Sequence, residues 1–368
     1  MPHWSIAQTK NRETEASGIG WELFLNYRIA RDKYQPDFFL YENNKSMSPA
    51  IRAQITAELG VEPALINSAL VSAQNRQRLY WAGKRNQDGT YSQVAVEQPV
   101  DRGILLRDIL ESGACWREKA YTLKANYANA GAVNGVDGGH FPATMAAEPV
   151  RIGTIENDAK NQAFDSQQYR VYSPDGKAVT LCGNGGGLGA KTGLYATPVG
   201  GPDGKAWPVY EVRDGFITIK GKRYPIKLRD GFYIIRKLTV TECKRLQTVP
   251  DTYAFPVSDT QAYKMLGNGW TVDVIAHIMS HFTGLTEEPV EVLSMYDGMS
   301  CGHIALDKLG AEITAYYATE IDKYAIQTTQ HNFPDTVQLG DAFQVRNESW
   351  SIAQAMAEQW GGLEVKDG

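Results

Sequence analysis

Three consecutive residues near the end of the chain, Tyr296-Asp297-Gly298, have the types and the position to bind a nucleotide-like ligand. They follow an apolar stretch that predicts a buried strand, and the pattern after them predicts a helix that begins near Gly302. A second predicted strand ends at Glu320, an acid about 20 residues beyond the turn that could bind ribose hydroxyls. The turn would let backbone atoms approach the ligand, and Tyr296 could lie against an adenine ring. A βαβ unit without a ligand would show much of the same pattern, so other parts of the chain must decide.

A second set of chemically suited residues lies in the first hundred positions. Glu42-Asn43-Asn44 follows a short apolar stretch that predicts a strand, and in open α/β sheets ligands bind where strands end. The segment Gln74–Arg78 carries Arg76 and Arg78 in alternation, so an extended backbone would project both guanidinium groups to one face. A solvated strand face would have the same alternation. With Glu42 expected on a nearby strand end, we predict that the two arginines face a substrate.

Residues 101–237 differ from the rest of the chain, because they are rich in Gly, Tyr, Asn and Asp and lack a long amphipathic helix. Two Asp-Gly pairs within them are hairpin turn signals between short alternating runs. Between positions 220 and 237, seven basic residues stand against one acid, with aromatic residues interleaved. We predict that this patch, which begins with Lys220, Lys222 and Arg223, contacts the backbone of DNA. The alternative is a hairpin surface that is merely soluble.

The bulk composition limits the remaining possibilities. At 368 residues the chain can bury a large core and is expected to hold two domains. A hydrophobic content of 43% is ordinary for a globular protein, and no apolar run is long enough to span a membrane. The N-terminus lacks the features of a signal peptide, and four cysteines without paired spacing predict a cytoplasmic protein. The net charge of −5 gives no overall attraction to nucleic acid, so DNA binding has to come from a local patch.

No metal site is predicted. His277 and His281 are spaced i, i+4 on a predicted helix, as in some zinc sites, but no third ligand is near and no Glu follows His277. Two ordinary helix histidines are the better interpretation.

Five stretches together resemble motifs of the DNA cytosine-5 methyltransferases. The stretch 296–302 resembles the cofactor turn of that family. Glu42-Asn43-Asn44 is similar to its Glu-Asn-Val, and Gln74–Arg78 fits its Gln-x-Arg-x-Arg. Residues 236–247 resemble the element that supports the recognition domain, and Gly267-Asn268 resembles the Gly-Asn that closes over the methionine end of the cofactor. Each motif alone is weak, whereas the five together are specific.

The resemblance extends over residues 4–81 and 236–345 and implies an α/β fold. The implied architecture is a Rossmann-like S-adenosylmethionine-dependent methyltransferase sheet with a smaller β-rich target-recognition domain. We expect the first part of the catalytic domain at 1–100, the target-recognition domain at 101–237, and the second part of the catalytic domain, with the cofactor motif, at 238–368.

The resemblance also implies ligands and site residues, with S-adenosylmethionine as cofactor and double-stranded DNA as substrate. The implied catalytic residues are Glu42, Arg76 and Arg78. The residues implied to bind the substrate are Asn43, Gln74, Lys220, Lys222 and Arg223. The residues implied to bind the cofactor are Leu23, Asn268, Tyr296, Asp297, Gly298, Ser300, Gly302, Glu320, Ile321, Asp341 and Ala342.

The reaction of this family begins with a cytosine that is flipped out of the duplex. A cysteine thiolate adds to C6, C5 then accepts the methyl group, a base removes the C5 proton and the thiolate leaves. The resemblance implies that Glu42 hydrogen-bonds N3 and the exocyclic amine, and that Arg78, helped by Arg76, holds O2. Residues 101–237 would grip the DNA.

The chain departs from the family pattern in two ways. The cofactor turn normally comes first, whereas here it follows the other motifs, an order that resembles a circular permutation and is allowed because domain termini often lie close together. The nucleophilic cysteine, which follows proline at a strand end, is expected between the chain's end and Trp4, and no Pro-Cys stands there. Cys301 is the nearest cysteine by topology, but a small buried helix residue is the stronger interpretation.

Three hypotheses follow from these departures. The chain is an active permuted methyltransferase whose nucleophile comes from a partner chain or an unrecognised region. Alternatively, it is a non-catalytic relative or half-enzyme that binds DNA and cofactor. An unrelated α/β nucleotide-binding protein is the third, which five agreeing motifs disfavour. The missing strand should leave a gap in the sheet between the strands at Val292 and Phe38, which Leu363–Val365 could fill.

Overall fold

The computed structural model describes residues 4, 12–111, 151–154, 170–172, 194–198, 209–219, 222–225, 230–236 and 239–361. The described helices are α1 (Gly18–Tyr34), α2 (Pro49–Leu59), α3 (Val240–Leu246), α4 (Asp259–Asn268), α5 (Val272–Met279), α6 (Cys301–Leu309), α7 (Lys323–Asn332) and α8 (Ile352–Gly361). The described strands are β1 (Phe38–Asn44), β2 (Ala64–Asn67), β3 (Gln77–Arg85), β4 (Tyr91–Gln93), β5 (Arg151–Thr154), β6 (Arg170–Tyr172), β7 (Leu194–Pro198), β8 (Val209–Arg213), β9 (Phe216–Ile219), β10 (Lys222–Pro225), β11 (Gly231–Arg236), β12 (Val290–Met295), β13 (Ile313–Thr319) and β14 (Val337–Gly340).

The strands form three sheets. In the first, β1, β3 and β2 lie side by side in that order with β4 also on β3, and all pairs are antiparallel. In the second, β12, β13 and β14 are parallel neighbours. The third sheet, in the order β10-β9-β8-β11-β7-β6-β5, lies wholly within the residues predicted to form the recognition domain. The predicted domain boundaries themselves remain a prediction.

Local sequence explains why β1 presents Glu42 on one face. Along β1 burial alternates, so Phe39, Tyr41 and Asn43 point inward and Glu42 points to the opposite side. Helix α2 follows, with Pro49 in its first turn and Ser48 capping its N-terminus. Its apolar stripe packs with the inward face of β1: Ile51, Ile55 and Leu59.

One helix covers both of the first two sheets. The ring of Phe24 in α1 lies 5.3 Å, centroid to centroid, from Tyr41 of β1. Further along α1, Ala30 belongs to a cluster against which Leu293 and Met295 of β12 pack. Helix α1 therefore joins the residues that come early in the chain to the strand that precedes the predicted cofactor turn.

Helices α5 and α6 cover the opposite face. Phe38 of β1 stacks on Phe282, which follows α5, with ring centroids 4.7 Å apart. Val292 of β12 packs with Leu306 of α6 and Met279 of α5. The two sheets thus share helices on both faces and form one three-layer α/β arrangement, the fold class predicted from the sequence.

Strands β12 and β1 belong to separate sheets, and no described strand pairs with both of them, so the gap expected between them stays a prediction. The stretch Leu363–Val365, which was expected to be able to fill it, lies outside the described residues. None of the described helices has the length and apolar character to cross a membrane. Across the same residues, no cluster of three or more His, Cys, Asp or Glu side chains could hold a metal ion.

Candidate functional site

The turn after β12 is built from residues in the left-handed region. Tyr296, Gly298 and Ser300 have φ values of 59°, 61° and 55°. Glycine enters this region freely, whereas other residues enter it at a cost of free energy. Helix α6 begins at Cys301, one residue before the predicted start near Gly302. The sequence prediction of a strand, a tight turn and a helix is therefore confirmed.

Gly298 lies at the open side of this turn. A Cβ placed on Gly298 would meet no atom within 4 Å, so the space in front of its backbone is free for a ligand. Its N–H donates to Oε2 of Glu320 at 2.9 Å. The other carboxylate oxygen of Glu320 accepts from the N–H groups of Ile321 and Asp322, at 2.7 and 2.8 Å. Glu320 therefore joins the two turns, and Oε2 keeps a lone pair for a further donor.

An apolar side chain stands exposed next to this carboxylate. Ile321 is 73% exposed, although large apolar side chains usually pack against other atoms. On the neighbouring strand, Asp341 follows β14, is exposed and accepts from the N–H of Phe343. Ala342 beside it is buried. The predicted cofactor residues at the ends of β12, β13 and β14 thus lie at one edge of the parallel sheet.

Asp297 is directed into the protein and holds the turn together. Its carboxylate accepts hydroxyl hydrogens from Ser294 at 2.6 Å, from Tyr316 at 2.9 Å and from Ser300. Burial raises the pKa of Asp297 above its ordinary value, and the three hydroxyl donors oppose that rise. The side chains of Asp297 and Ser300 are therefore occupied in building the turn.

Gly302 allows α6 to lie close to the neighbouring strand. A Cβ there would lie 3.1 Å from the hydroxyl of Tyr316 on β13 and 3.8 Å from Cζ3 of Trp270. This is the close helix–strand contact for which nucleotide-binding turns use a glycine.

Tyr296 connects the turn to α1. Its hydroxyl donates to the carbonyl oxygen of Leu23 at 2.9 Å and accepts from the side-chain amide of Asn26 at 3.2 Å. Burial raises the pKa of Tyr296 to about 12. The structure thus brings Leu23 and Tyr296 together, although more than 250 residues separate them along the chain.

Glu42 lies at the end of β1 with both carboxylate oxygens bonded. Nε of Arg78 lies 3.0 Å from Oε1, and Nε1 of Trp270 donates to Oε2 at 3.1 Å. Glu42 pairs with Tyr80 on β3, so Arg78 is its diagonal neighbour on the same face of the sheet. The strand that carries Glu42 was expected near Arg78, and the ion pair is a finding of the structure; both side chains keep partial exposure, 13% for Glu42 and 15% for Arg78.

Arg76 is placed differently from its prediction. It precedes β3, is buried, and donates to the carbonyl oxygens of Gly267 and Gly269 at the end of α4, at 3.4 and 3.0 Å. The expected sharing of one strand face with Arg78 is not seen, because the extended strand begins only at Gln77. Arg76 supports the turn beside the site, and contact with a base stays a prediction.

Two of the implied substrate-binding residues are fully buried. The amide of Gln74 donates to Leu246 O and to Oε1 of Gln247, at 3.2 and 3.0 Å. Asn43 lies on the face of β1 opposite to Glu42, and its amide donates to the hydroxyl of Tyr41 at 3.0 Å. Strand alternation explains the position of Asn43, because adjacent residues of a strand point to opposite faces.

Gly267 and Asn268 are the last two residues of α4, and the residue after them lies close to the start of α6. Asn268 is exposed at the end of α4. A Cβ on Gly269 would lie 3.2 Å from Sγ of Cys301 and 3.6 Å from Sδ of Met299. Gly269, directly after the motif, therefore lies close to the start of α6, and closure of the motif over the cofactor stays a prediction.

Trp270 is the site residue that the sequence did not reveal. Its indole N–H reaches Glu42 of the first sheet, while the far side of the ring lies next to Gly302 at the start of α6. The only signal was its position directly after the Gly-Asn motif, and position alone could not show which way the ring points. Trp270 links the predicted catalytic and cofactor halves.

Neither of the two cysteines that the structure describes is suited to be a nucleophile. Cys243 and Cys301 are both buried. Burial raises the pKa of Cys301 to about 12, so the reactive thiolate is disfavoured. Cys115 and Cys182 lie outside the described residues.

The predicted basic patch is described only in part. Lys220 lies outside the described residues, and Lys222 is the first residue of β10. Arg223 is exposed, and its guanidinium lies over the ring of Phe216 at 4.3 Å. This hairpin presents a cation at its surface, as the prediction requires.

Comparison with known proteins identifies a family match over most of the chain. The family model for the C-5 cytosine-specific DNA methylases matches residues 2–283. The chain is 27% identical over 267 residues to the type II methyltransferase M.HpaII of Haemophilus parainfluenzae, covering 69% of this chain and 62% of that protein. It is 30% identical over 129 residues to the type II methyltransferase M.HhaI of Haemophilus parahaemolyticus, covering 35% of this chain and 27% of that protein.

The matched region spans only part of each relative's own length, 62% of the first and 27% of the second. Among solved structures, the Entamoeba histolytica methyltransferase EhMeth matches with 13% identity and a TM-score of 0.38, covering 67% of this chain and 62% of that one.

Proposed function

Because the chain belongs to the family of C-5 cytosine-specific DNA methylases, we propose that it serves the transfer of a methyl group from S-adenosylmethionine to C5 of cytosine in double-stranded DNA. One observation carries the proposal: the predicted catalytic carboxylate and the predicted cofactor turn, far apart in sequence, meet through Trp270. A fold that merely shared the βαβ unit would have no reason to bring these two groups together.

The residues of the turn fit S-adenosylmethionine. The open space before Gly298 accepts a ligand without displacing any side chain. The Glu320 carboxylate faces this turn and would bind ribose hydroxyls, and exposed Ile321 would cover an apolar ring face. Asp341 at the next strand end would accept from an amino group. When bound, S-adenosylmethionine supplies an electrophilic methyl group.

Glu42 is the residue best placed to hold a cytosine. Arg78 and Trp270 each donate to one of its oxygens, which fixes the orientation of the carboxylate at the edge of the sheet. A protonated Glu42 would donate to N3 and accept from the exocyclic amine, while Arg78 would donate to O2. We assign Gln74, Asn43 and Arg76 to positioning, because their polar groups bond inside the protein.

DNA would be held by the β-rich region. The target base must leave the duplex to reach Glu42, as in other enzymes that act on bases. Arg223 is exposed on the β9–β10 hairpin, and basic side chains of this kind bind the phosphate backbone in a salt-dependent way.

The order of the motifs supports a circular permutation. The family match ends at residue 283, whereas the cofactor turn begins at Tyr296. A cofactor block moved from the front to the back of the chain would fall outside a collinear match, as it does here. The contacts of α1 with Tyr296 and β12 explain how such an order can fold into one sheet assembly.

The second candidate function is binding of DNA and cofactor without catalysis. It is favoured by the two described cysteines, both of which are buried, and by the raised pKa of Cys301. In the active alternative, the cysteine nucleophile comes from a second chain or from a stretch of this chain outside the described residues, where Cys115 and Cys182 lie without a preceding proline.

A single assay separates these functions. The full chain is incubated with mixed-sequence DNA and methyl-labelled S-adenosylmethionine, and 5-methylcytosine is measured alongside cofactor affinity. Label in C5 that disappears in Glu42→Gln supports methyl transfer by this chain. Cofactor binding without label supports the non-catalytic function. Absence of cofactor binding would refute both.

A further inference from the structure

Asn26 is a polar side chain in the middle of helix α1 that points into the protein. It is fully buried, although asparagine is a residue type found mostly at protein surfaces. Its amide N–H donates to the hydroxyl of Tyr296 at 3.2 Å, and its carbonyl oxygen accepts from Nε of Arg346. These two partners lie 270 and 320 positions further along the chain. One amide group therefore connects three separate segments of the protein.

The hydrogen-bonding capacity of the two partners explains why this residue is an amide. The hydroxyl of Tyr296 has one hydrogen, which it donates to the carbonyl oxygen of Leu23 at 2.9 Å, so its lone pairs require a donor. The guanidinium of Arg346 can only donate, so it requires an acceptor. An asparagine side chain supplies both groups, whereas an ionised aspartate lacks the donor and a leucine of similar size lacks both.

Arg346 is held by helix α1 at more than one point. It is the last residue of the short 3₁₀ helix Ala342–Arg346, which follows β14. Besides its bond to Asn26, it donates to the carbonyl oxygen of Glu22 at 2.9 Å and forms an ion pair with the Glu22 carboxylate at 2.6 Å. Asp341 caps the start of the same 3₁₀ helix. Arg346 therefore joins the segment that carries Asp341 to helix α1.

The backbone of Tyr296 makes its side-chain contacts important. Tyr296 has φ 59°, in the left-handed region that residues other than glycine enter only at a cost of free energy. Its N–H donates to the hydroxyl of Thr319 at 3.1 Å, and its own hydroxyl bonds to two residues of α1, Leu23 and Asn26. These contacts offset the cost of the left-handed backbone. We therefore expect the shape of the turn after β12 to depend on Asn26.

We propose that Asn26 is a positioning residue for the cofactor, which holds the turn after β12 and the segment after β14 in the arrangement that binds S-adenosylmethionine. Three of the residues assigned to the cofactor belong to the segments that this amide joins: Leu23, Tyr296 and Asp341. Asn26 itself is fully buried and its amide is bonded inside the protein, so its effect on the cofactor is indirect. The identity of the ligand rests on the proposed function.

The test compares two tyrosine hydroxyls that both form hydrogen bonds involving helix α1. Tyr296→Phe removes the hydroxyl at the turn. The matched control Tyr34→Phe removes a hydroxyl of α1 that accepts from the N–H of Ile352 at 3.1 Å, away from the turn. Asn26→Leu removes the amide itself. In the full chain, hydrogen exchange of the amides of residues 296–300 is measured without cofactor, and the affinity for S-adenosylmethionine is measured by calorimetric titration.

Both changes at the Asn26–Tyr296 contact should have the same two effects. We expect Tyr296→Phe and Asn26→Leu each to accelerate exchange in the turn and to weaken cofactor binding at least about tenfold, since the loss of these bonds favours local opening. Tyr34→Phe should leave the turn and the cofactor affinity as in the wild type, and exchange in β3 should not change in any variant. The double variant should bind the cofactor no more weakly than Asn26→Leu, because both changes remove the same contact.

The outcomes separate positioning from general stability and from the proposed function. Unchanged exchange in the turn of Tyr296→Phe and Asn26→Leu would overturn the inference, as would additive losses of cofactor affinity in the double variant. An equal loss of affinity in Tyr34→Phe would assign the effect to overall stability and would also overturn it. If Asn26→Leu does not fold, the comparison of Tyr296→Phe with Tyr34→Phe still decides. Faster exchange in the turn, combined with a wild type that does not bind S-adenosylmethionine, would refute the proposed function and with it the role of Asn26 in cofactor binding.

Discussion

The replacement Gly298→Ala tests whether the turn after β12 holds the cofactor. Gly298 has φ 61°, a value that alanine adopts only with strain, and its Cβ would project into open space before the turn. Gly310, which ends α6, provides a matched control because it has φ 74° and equally open space around a Cβ. The two variants share the same backbone strain and differ only in their position relative to the proposed site.

The expected magnitudes follow from this geometry. A non-glycine residue in the left-handed region costs about 1–2 kcal/mol, so both variants should lose a similar free energy of unfolding. Only the methyl group added at Gly298 occupies the space proposed for the cofactor. Because the cofactor would then lose its contact with the turn, we expect its binding to weaken at least about tenfold, or about 1.4 kcal/mol. Gly310→Ala should bind the cofactor as the wild type does.

Calorimetric titration with S-adenosylmethionine and urea unfolding measure the two effects separately. The reasoning requires similar unfolding losses and unequal cofactor affinities. If Gly298→Ala and Gly310→Ala bind the cofactor equally well, the open space before Gly298 is not the cofactor site. If both bind weakly in proportion to their stability, the effect belongs to folding and not to the turn.

Three further outcomes are expected. Trp270→Phe removes the indole donor to the Glu42 carboxylate and should lower the free energy of unfolding by about 1–2 kcal/mol. A double-mutant cycle with Glu42→Gln should show coupling between the two residues. Additive effects would mean that the contact is unimportant. The carboxylate of Glu320 accepts from three backbone N–H groups, and Glu320→Gln replaces one of its oxygens by an amide group. We therefore expect the free energy of unfolding to fall by about 1–3 kcal/mol and cofactor binding, measured by calorimetry, to weaken. Unchanged values would contradict the bridging role. For Cys301, burial raises the folded-state pKa from 9.0 to about 12, so its stabilising contribution is complete below pH 9 and is lost between pH 9 and 12. The free energy of unfolding, measured with urea, should therefore fall more steeply between pH 9 and 12 in the wild type than in Cys301→Ala. Parallel pH profiles of the two proteins would refute the raised pKa.

The sequence was sufficient to predict those elements in which the apolar periodicity and the turn residues indicate the same structure. The strand before Tyr296, the turn at Gly298 and the helix near Gly302 were predicted because apolar runs and glycine spacing encode them locally. The location of Glu42 at a strand end was predicted in the same way. The nearness of Glu42 to the strand that carries Arg78 was expected, but their ion pair was not predicted.

Directions of side chains were less predictable. Arg76 was expected beside Arg78, but the strand begins one residue later and the guanidinium instead binds carbonyls at the end of α4. Gln74 carries the residue type of a substrate ligand, yet the fold surrounds it with Gln247 and the end of α3. Such placements depend on packing between segments nearly 200 residues apart, which no local pattern contains. The inward direction of the Asp297 carboxylate has the same origin.

Trp270 gives a physical reason why residues from distant parts of the chain can form one candidate site. Its indole N–H donates to Glu42 of β1 while the far side of its ring lies beside Gly302 of α6, so one side chain connects the first sheet with the helix after the turn. Helix α1 does the same on the other side through Tyr296. Both contacts join residues more than 200 positions apart, so they form only when the separate elements have packed together. Contacts of this kind would hold the early and late parts of the chain together in either order of the motifs.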